Sequence, residues 1–212
     1  MKPLADCKLY AFVDTAYLNG RSPKTLAHQL CEGGADLIQL RAKHSSLEEV
    51  RQLAEAILTI TRHANVGLVI NDHPVLAREV GAELCHLGQE DFFDAGHRQV
   101  SEFKIQNSKF KIGLSTHSPE QAQRALAAGA DYIAIGPVYP TGTKPTAKAV
   151  TLDYVRWAAA NVIVPWFAIG GLNLQNLDAV LAAGARRVCV VSAILNAPDV
   201  AQACAEFRRA LE

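Results

Sequence analysis

The sequence has no surplus of charge. Lysine and arginine together number 21, as do aspartate and glutamate, so the basic stripe with which a protein neutralises a polynucleotide backbone is missing. No nucleic-acid partner is expected. Cysteine is sparse and unpatterned: Cys7, Cys31, Cys85, Cys189 and Cys204 are odd in number, widely spaced and free of any C-x-x-C. That spacing builds neither a disulfide framework nor a zinc ribbon, and the thiols read as reduced, in a cytoplasmic protein. No apolar run approaches a membrane span, and the opening "MKPLADCKLYAFVD" has no charged-then-apolar signal region, so a soluble protein that is not exported is expected. With 50% hydrophobic and 20% charged residues, usage is ordinary for a globular protein. At 212 residues the length suits one domain over 1–212, burying roughly 70% of its unfolded surface.

What is present first is self-similarity. "CEGGADLIQLR", "EVGAELCHLG", "AAGADYIAIG" and "AAGARRVCVVS" share a helix end, a Gly-Ala pair and an apolar run, with the pairs beginning at Gly34, Gly81, Gly129 and Gly184. A spacing of about 50 residues holds two strand-helix units, which implies about eight in all. Apolar runs rich in Val, Ile, Leu and Tyr stand at 8–14, 37–41, 67–71, 83–87, 111–116, 132–137, 165–169 and 187–192, and they read as eight strands. Helical periodicity follows most of them, as in "SLEEVRQLAEAILTITRHA", "SPEQAQRALAAG", "TLDYVRWAAANV", "NLQNLDAVLAAG" and "DVAQACAEFRRALE". After the fourth strand, "FFDAGHRQVSEFKIQNSKF" is weaker and reads as irregular. Near-continuous apolar strands alternating with helices call for a parallel sheet covered by helices. Eight such units close into an α/β fold of the (β/α)8 TIM-barrel type. An open doubly wound sheet would need a dinucleotide-type glycine turn after strand one, and "FVDTAYLNGRS" has none.

In a barrel the chemistry sits at the C-terminal ends of the strands. Alternation puts Gln39, Arg41 and Lys43 at one mouth, where two cations suit an anionic group; a salt-bridged strand end is the alternative. Asp72 and Asp91 close adjacent strands, within reach of one hard cation that would keep waters and phosphate oxygens as its other ligands. Asp72 could instead cap the helix of "HPVLAREVG", and Glu90 competes as a ligand. "AIGGL" and "VVSAI" occupy the place where many barrels hold phosphate, although a tight turn and a helix-capping Ser192 would explain them too. "YPTGTKP" opens a long connection that could grip phosphate or simply be a solvated turn. His73, His86 and His117 have no metal-like neighbourhood; structural roles are the default, with His117 a candidate for acid-base work.

Taken in order from 39 to 195, "QLRAK", "IND", "HLGQED", "GLSTH", "GPVYPTGTK", "AIGG" and "VVSAIL" resemble the thiamine-phosphate synthase (thiamine-phosphate pyrophosphorylase) family. The resemblance implies a (β/α)8 transferase that joins a pyrimidine diphosphate to a thiazole phosphate, releasing diphosphate with Mg2+. It implies pyrimidine diphosphate contacts from Gln39, Leu40, Arg41, Ala42, Lys43, Asn71, Ser115 and Lys144. Thr141, Gly142, Thr143, Gly171, Val191 and Ser192 would hold the thiazole phosphate, and Asp72 and Asp91 the metal. Arg41, Lys43, Ser115 and Lys144 form the catalytic group, with Ser115 orienting the pyrimidine's amino group. Two positions depart from the family pattern: Ala42 replaces an acid and His73 an arginine.

Two other readings stand beside this one. A thiazole tautomerase would keep the thiazole phosphate site without the diphosphate machinery, whereas Asn71-Asp72, Gln89-Glu90-Asp91 and the strand-two cations are all present here. A non-catalytic barrel would bind thiamine intermediates without turnover. The partners expected are small molecules, with no membrane, and the sequence is compatible with a homo-oligomer.

Overall fold

The computed structural model describes residues 1–106, 108–142 and 148–212. Eight parallel strands close into a barrel in chain order, each paired with the next and β8 with β1. They are β1 (Leu9–Asp14), β2 (Leu37–Arg41), β3 (Gly67–Asn71), β4 (Leu84–Leu87), β5 (Lys111–Thr116), β6 (Tyr132–Ile135), β7 (Trp166–Ile169) and β8 (Val188–Cys189). The expected strand runs fall on these positions. Helices α1 (Pro23–Glu32), α2 (Leu47–His63), α3 (Pro74–Val80), α4 (Pro119–Ala127), α5 (Thr151–Asn161), α6 (Leu177–Ala182), α7 (Ser192–Leu195) and α8 (Val200–Ala210) fill the connections and the C-terminal segment. Among the described residues between β4 and β5 there is no α-helix: one π-helical turn over Glu90–Asp94 and a 3-10 turn over Val100–Phe103 take its place, as the weak periodicity there implies. None of the described helices is long and apolar enough to cross a membrane.

The sequence repeat is a quarter of the barrel. Gly34, Gly81, Gly129 and Gly184 all have positive φ, and each ends a helix in the left-handed conformation that glycine adopts without a Cβ penalty. The next strand is always an even-numbered one. In three quarters, the acid after Gly-Ala bonds a backbone amide at the start of the preceding strand. Asp36 accepts from Leu9 at 3.0 Å, Glu83 from Leu68 at 3.0 Å and Asp131 from Ile112 at 2.7 Å. The fourth quarter has Arg186 in that place, opposite Trp166 in the β7–β8 register, and its side chain offers that amide no acceptor.

Asp36 is a hub of charge at the N-terminal end of the barrel. It also accepts from the Lys8 amide at 2.6 Å and pairs with Lys2 at 2.5 Å and Arg208 at 2.9 Å. These bonds tie β1, β2, α8 and the N-terminal segment together.

Candidate active site

A cavity opens at the other end, over the C-terminal ends of the strands, and side chains from β1 through β8 or the loops after them line it. Period-two alternation in "LYAFVD" sends Tyr10 and Phe12 into it and carries Asp14 on the same face. On β2 the same rule brings Gln39 and Arg41 to the cavity. It turns Leu40 and Ala42 into the apolar core, so their side chains are not among the substrate contacts that the motif implied. Asn71, Ser115, Thr141, Gly171, Val191 and Ser192 line the cavity as well. Gly142 is exposed outside it, and Thr143 and Lys144 lie outside the described residues.

Both strand-two cations have carboxylate partners. Arg41 bonds Asp14 at 2.7 Å, and Asp14 is only 1% exposed. Lys43 reaches Asp72 at 3.1 Å. Asp14 was not singled out from sequence, yet its place two residues beyond Phe12 on a lumen-facing strand was the signal. Its other oxygen accepts from the Ala16 amide at 3.0 Å, which fixes the carboxylate that orients Arg41.

Asp72 does not cap α3. The N-cap position is His73, which makes no side-chain capping bond, and that is the place His73 occupies in the structure. The Asp72 backbone is held at φ +63, a conformation costing on the order of 1 kcal/mol or more for a residue with a Cβ. Its amide donates to His86 O at 2.9 Å, and Asn71 Nδ2 donates to its carboxylate. The Asp91 carboxylate lies within hydrogen-bonding reach of it. Burial, followed by repulsion from Asp91, holds the Asp72 carboxyl above its ordinary range. Asp91 folds back over the end of β4, and a Cβ on Gly88 would come within 2.7 Å of its Oδ2. Glycine in "HLGQED" therefore makes room for that carboxylate.

Among the described residues, Asp14, Asp72 and Asp91 against Arg41 and Lys43 leave a formal excess of one negative charge in this cluster. Two facing carboxylates with oxygen donors only fit a hard divalent cation that keeps most of its coordination for water and phosphate. They do not form a closed cage: no group of three or more His, Cys, Asp or Glu side chains suited to a metal occurs among the described residues. Glu90 is exposed. Gln89 is engaged elsewhere, accepting from Arg124 at 2.8 Å and donating to Ser115 O.

On the far side, the segments after β6 and β7 lie against each other. Val138 donates to Ile169 O at 2.8 Å and Tyr139 to Gly170 O at 3.1 Å. Gly171, at φ +65, would put a Cβ 2.6 Å from Pro140 O, so this glycine is needed for the close approach of two loops as well as for an open backbone on the cavity. Ser192 does not cap its helix: Val191 is the N-cap residue and makes no side-chain capping bond. His117 Nδ1 donates to Gly136 O and its ring lines the cavity; in the neutral ring this leaves Nε2 as the acceptor. His86, read from sequence as structural, is a cavity residue bonded to Ser115 at 2.9 Å.

The arrangement has a cation-rich and carboxylate-rich rim on the β2–β4 side, a polar and aromatic floor, and an open backbone surface after β7 and β8. Such a site can take anionic groups at the first and third and a flat ring at the second. A family model described as thiamine monophosphate synthase matches residues 9–194. A thiamine-phosphate synthase of Thermus thermophilus is 46% identical over 180 residues, 84% of each chain. One of Acidothermus cellulolyticus is 45% identical over 206 residues, 96% of this chain and 94% of the other. A solved thiamine phosphate pyrophosphorylase of Pyrococcus furiosus superposes with a TM-score of 0.85 at 29% identity, covering 98% of this chain and 96% of the other.

Proposed function

The chain belongs to the thiamine monophosphate synthase family, and on that premise we propose that it couples 4-amino-2-methyl-5-hydroxymethylpyrimidine diphosphate to thiazole phosphate with Mg2+, giving thiamine phosphate and diphosphate. The observation that carries this reading is the rim of the cavity, where Arg41 and Lys43 stand beside the facing Asp72 and Asp91 carboxylates. A tautomerase acting on the thiazole phosphate alone has no use for them.

The bond from the pyrimidine methylene to diphosphate breaks with charge growing on the leaving oxygens. Arg41, oriented by Asp14, and Lys43 offer that charge preorganised donors, for which a single group is worth about 3–4 kcal/mol. Magnesium held by Asp72 and Asp91 would add Lewis-acid stabilisation of the same diphosphate. Gln39, Asn71 and Ser115 hold the heterocycle, while Gly171, Val191 and Ser192 anchor the second phosphate so that the thiazole nitrogen meets the methylene carbon at close range. The electron pair of the cleaved C–O bond leaves with diphosphate, and the thiazole nitrogen supplies the pair of the new C–N bond. Thr143 and Lys144 are assigned by the resemblance alone to the thiazole phosphate and the diphosphate. We assign the enzyme to the cytoplasm, on its five unpaired thiols.

Purified protein given both phosphorylated halves and magnesium is expected to release thiamine phosphate and diphosphate in equal amounts, and to stop when the metal is chelated. No product above background from folded protein and fresh substrates would overturn the assignment. Turnover that survives chelation would overturn the metal site alone.

A further inference from the structure

Along the floor of the cavity, five side chains from five strands form one hydrogen-bonded chain, four of them lining it and Tyr132 buried behind. Gln39 Nε2 donates to Tyr10 OH at 2.6 Å, and Tyr10 OH lies 3.4 Å from Tyr132 OH. Tyr132 OH lies 3.2 Å from His86 Nδ1, and His86 Nε2 lies 2.9 Å from Ser115 Oγ. Tyr10 and Tyr132 are 1% and 0% exposed, and burial holds both phenols well above their ordinary range, so each carries its proton.

Protons in this chain run one way. The Gln39 amide nitrogen can only donate, so Tyr10 oxygen accepts from it. The Tyr10 proton then needs an acceptor, since an unsatisfied buried hydroxyl is costly, and the oxygen of Tyr132 is the one the chain provides. Tyr132 in turn donates to His86 Nδ1. Its ring must then be the neutral Nε2–H tautomer, which donates to Ser115 Oγ. The opposite direction would strand the Tyr10 proton. One further feature marks the chain as built. Gly113 faces Tyr132 in the β5–β6 register, and a Cβ on it would lie 2.0 Å from the Tyr132 ring, so a glycine in β5 is the seat of that phenol.

We propose that His86 is a positioning residue: through its Nε2–H it turns the Ser115 hydroxyl proton into the cavity, to meet an acceptor atom of a flat nitrogen heterocycle. The inference rests on the pyrimidine reading of the site and sharpens it. Ser115 then addresses a ring nitrogen and not the exocyclic amino group expected from sequence.

Long-range proton–nitrogen NMR of the histidine-labelled protein, with the His86 signal identified by its loss in His86→Gln, reads the tautomer directly. A protonated Nε2 with a bare Nδ1 is expected; the Nδ1–H form would overturn the proposal, whether or not the protein turns over. In kinetics, His86→Leu and Tyr132→Phe should raise KM for the pyrimidine diphosphate on the order of tenfold and leave KM for the thiazole phosphate within about twofold. His86→Gln, which keeps a donor toward Ser115, should recover most of the loss. Adding Ser115→Ala to His86→Leu should cost little more than either change alone. Equal losses for both substrates, or additive losses in the double variant, would reduce His86 to a packing residue. A wild-type protein without turnover would refute the synthase reading, and the tautomer would still decide this one.

Discussion

The two ends of the barrel use the same chemical group in opposite ways. At the N-terminal end, Asp36 and Asp131 receive backbone amides and lysine or arginine partners, and Glu83 receives the Leu68 amide. Those bonds close the chain on itself. At the C-terminal end, Asp72 is set at an unfavourable φ and faces Asp91, with Lys43 as its cationic partner. The first set is matched by amides and cations; in the second, two carboxylates face each other beside one lysine. Carboxylates that finish a fold and carboxylates left facing each other at a rim are thus told apart by their partners, since the residue type is the same.

The contrast can be broken most strongly from the N-terminal end. Asp36→Ala leaves Arg208 and two backbone amides without their acceptor and should lower the unfolding free energy by about 3–5 kcal/mol. Urea titration measures this, and the rate per folded molecule should be kept. Asp91→Ala should do the reverse, lowering the magnesium-dependent rate by about a hundredfold or more. Its urea midpoint should stay level or rise, because Asp72 loses a repulsive neighbour. If both variants lost stability and neither lost rate selectively, the distinction between the two ends would be mistaken.

The smallest effect is in pH. Folding holds the Asp72 carboxyl above its ordinary value, so the folded state favours the protonated form. That contribution to stability is fully present in acid below the unfolded value and is lost as pH rises through the raised one. In metal-free buffer, wild-type protein should therefore lose stability relative to Asp72→Asn as pH climbs above the ordinary aspartate range, about 4, and magnesium should diminish the loss. A difference in urea midpoints that stays flat with pH would show that neither burial nor Asp91 raises the Asp72 carboxyl in the folded protein.

Much of the fold was legible because the periods were strong. The runs at 37–41, 67–71 and 111–116 coincide with β2, β3 and β5 to the residue. Elements departed from expectation where a side chain or a tertiary contact competed with the pattern. The β6 run ends at Ile135 because Pro137 has no N–H to continue the ladder and the amides of Val138 and Tyr139 turn to the end of β7 and its loop. The helix expected from "NLQNLDAVLAAG" begins only at Leu177, since Asn173 Oδ1 takes the amides of Gln175 and Asn176 and holds a turn there. Within the site, the rim residues were legible as polar groups at strand ends, but their pairing was not. The Arg41–Asp14 ion pair joins neighbouring strands about 27 positions apart, and the bond from His86 to Ser115 depends on a tyrosine in β6 that reads locally as one more apolar strand residue.

The missing fourth clamp, where Arg186 replaces an acceptor, leaves the joint between β7 and β8 without a fastening that the other three quarters have, and β8 pairs over only two residues with each neighbour. Breathing of the barrel should concentrate there, so the amides of Val188 and Cys189 should exchange with solvent ahead of those in β1 and β2. The loops bearing Gly171 and Ser192 stand directly on that joint. The phosphate site proposed above would thus rest on the joint that lacks a clamp.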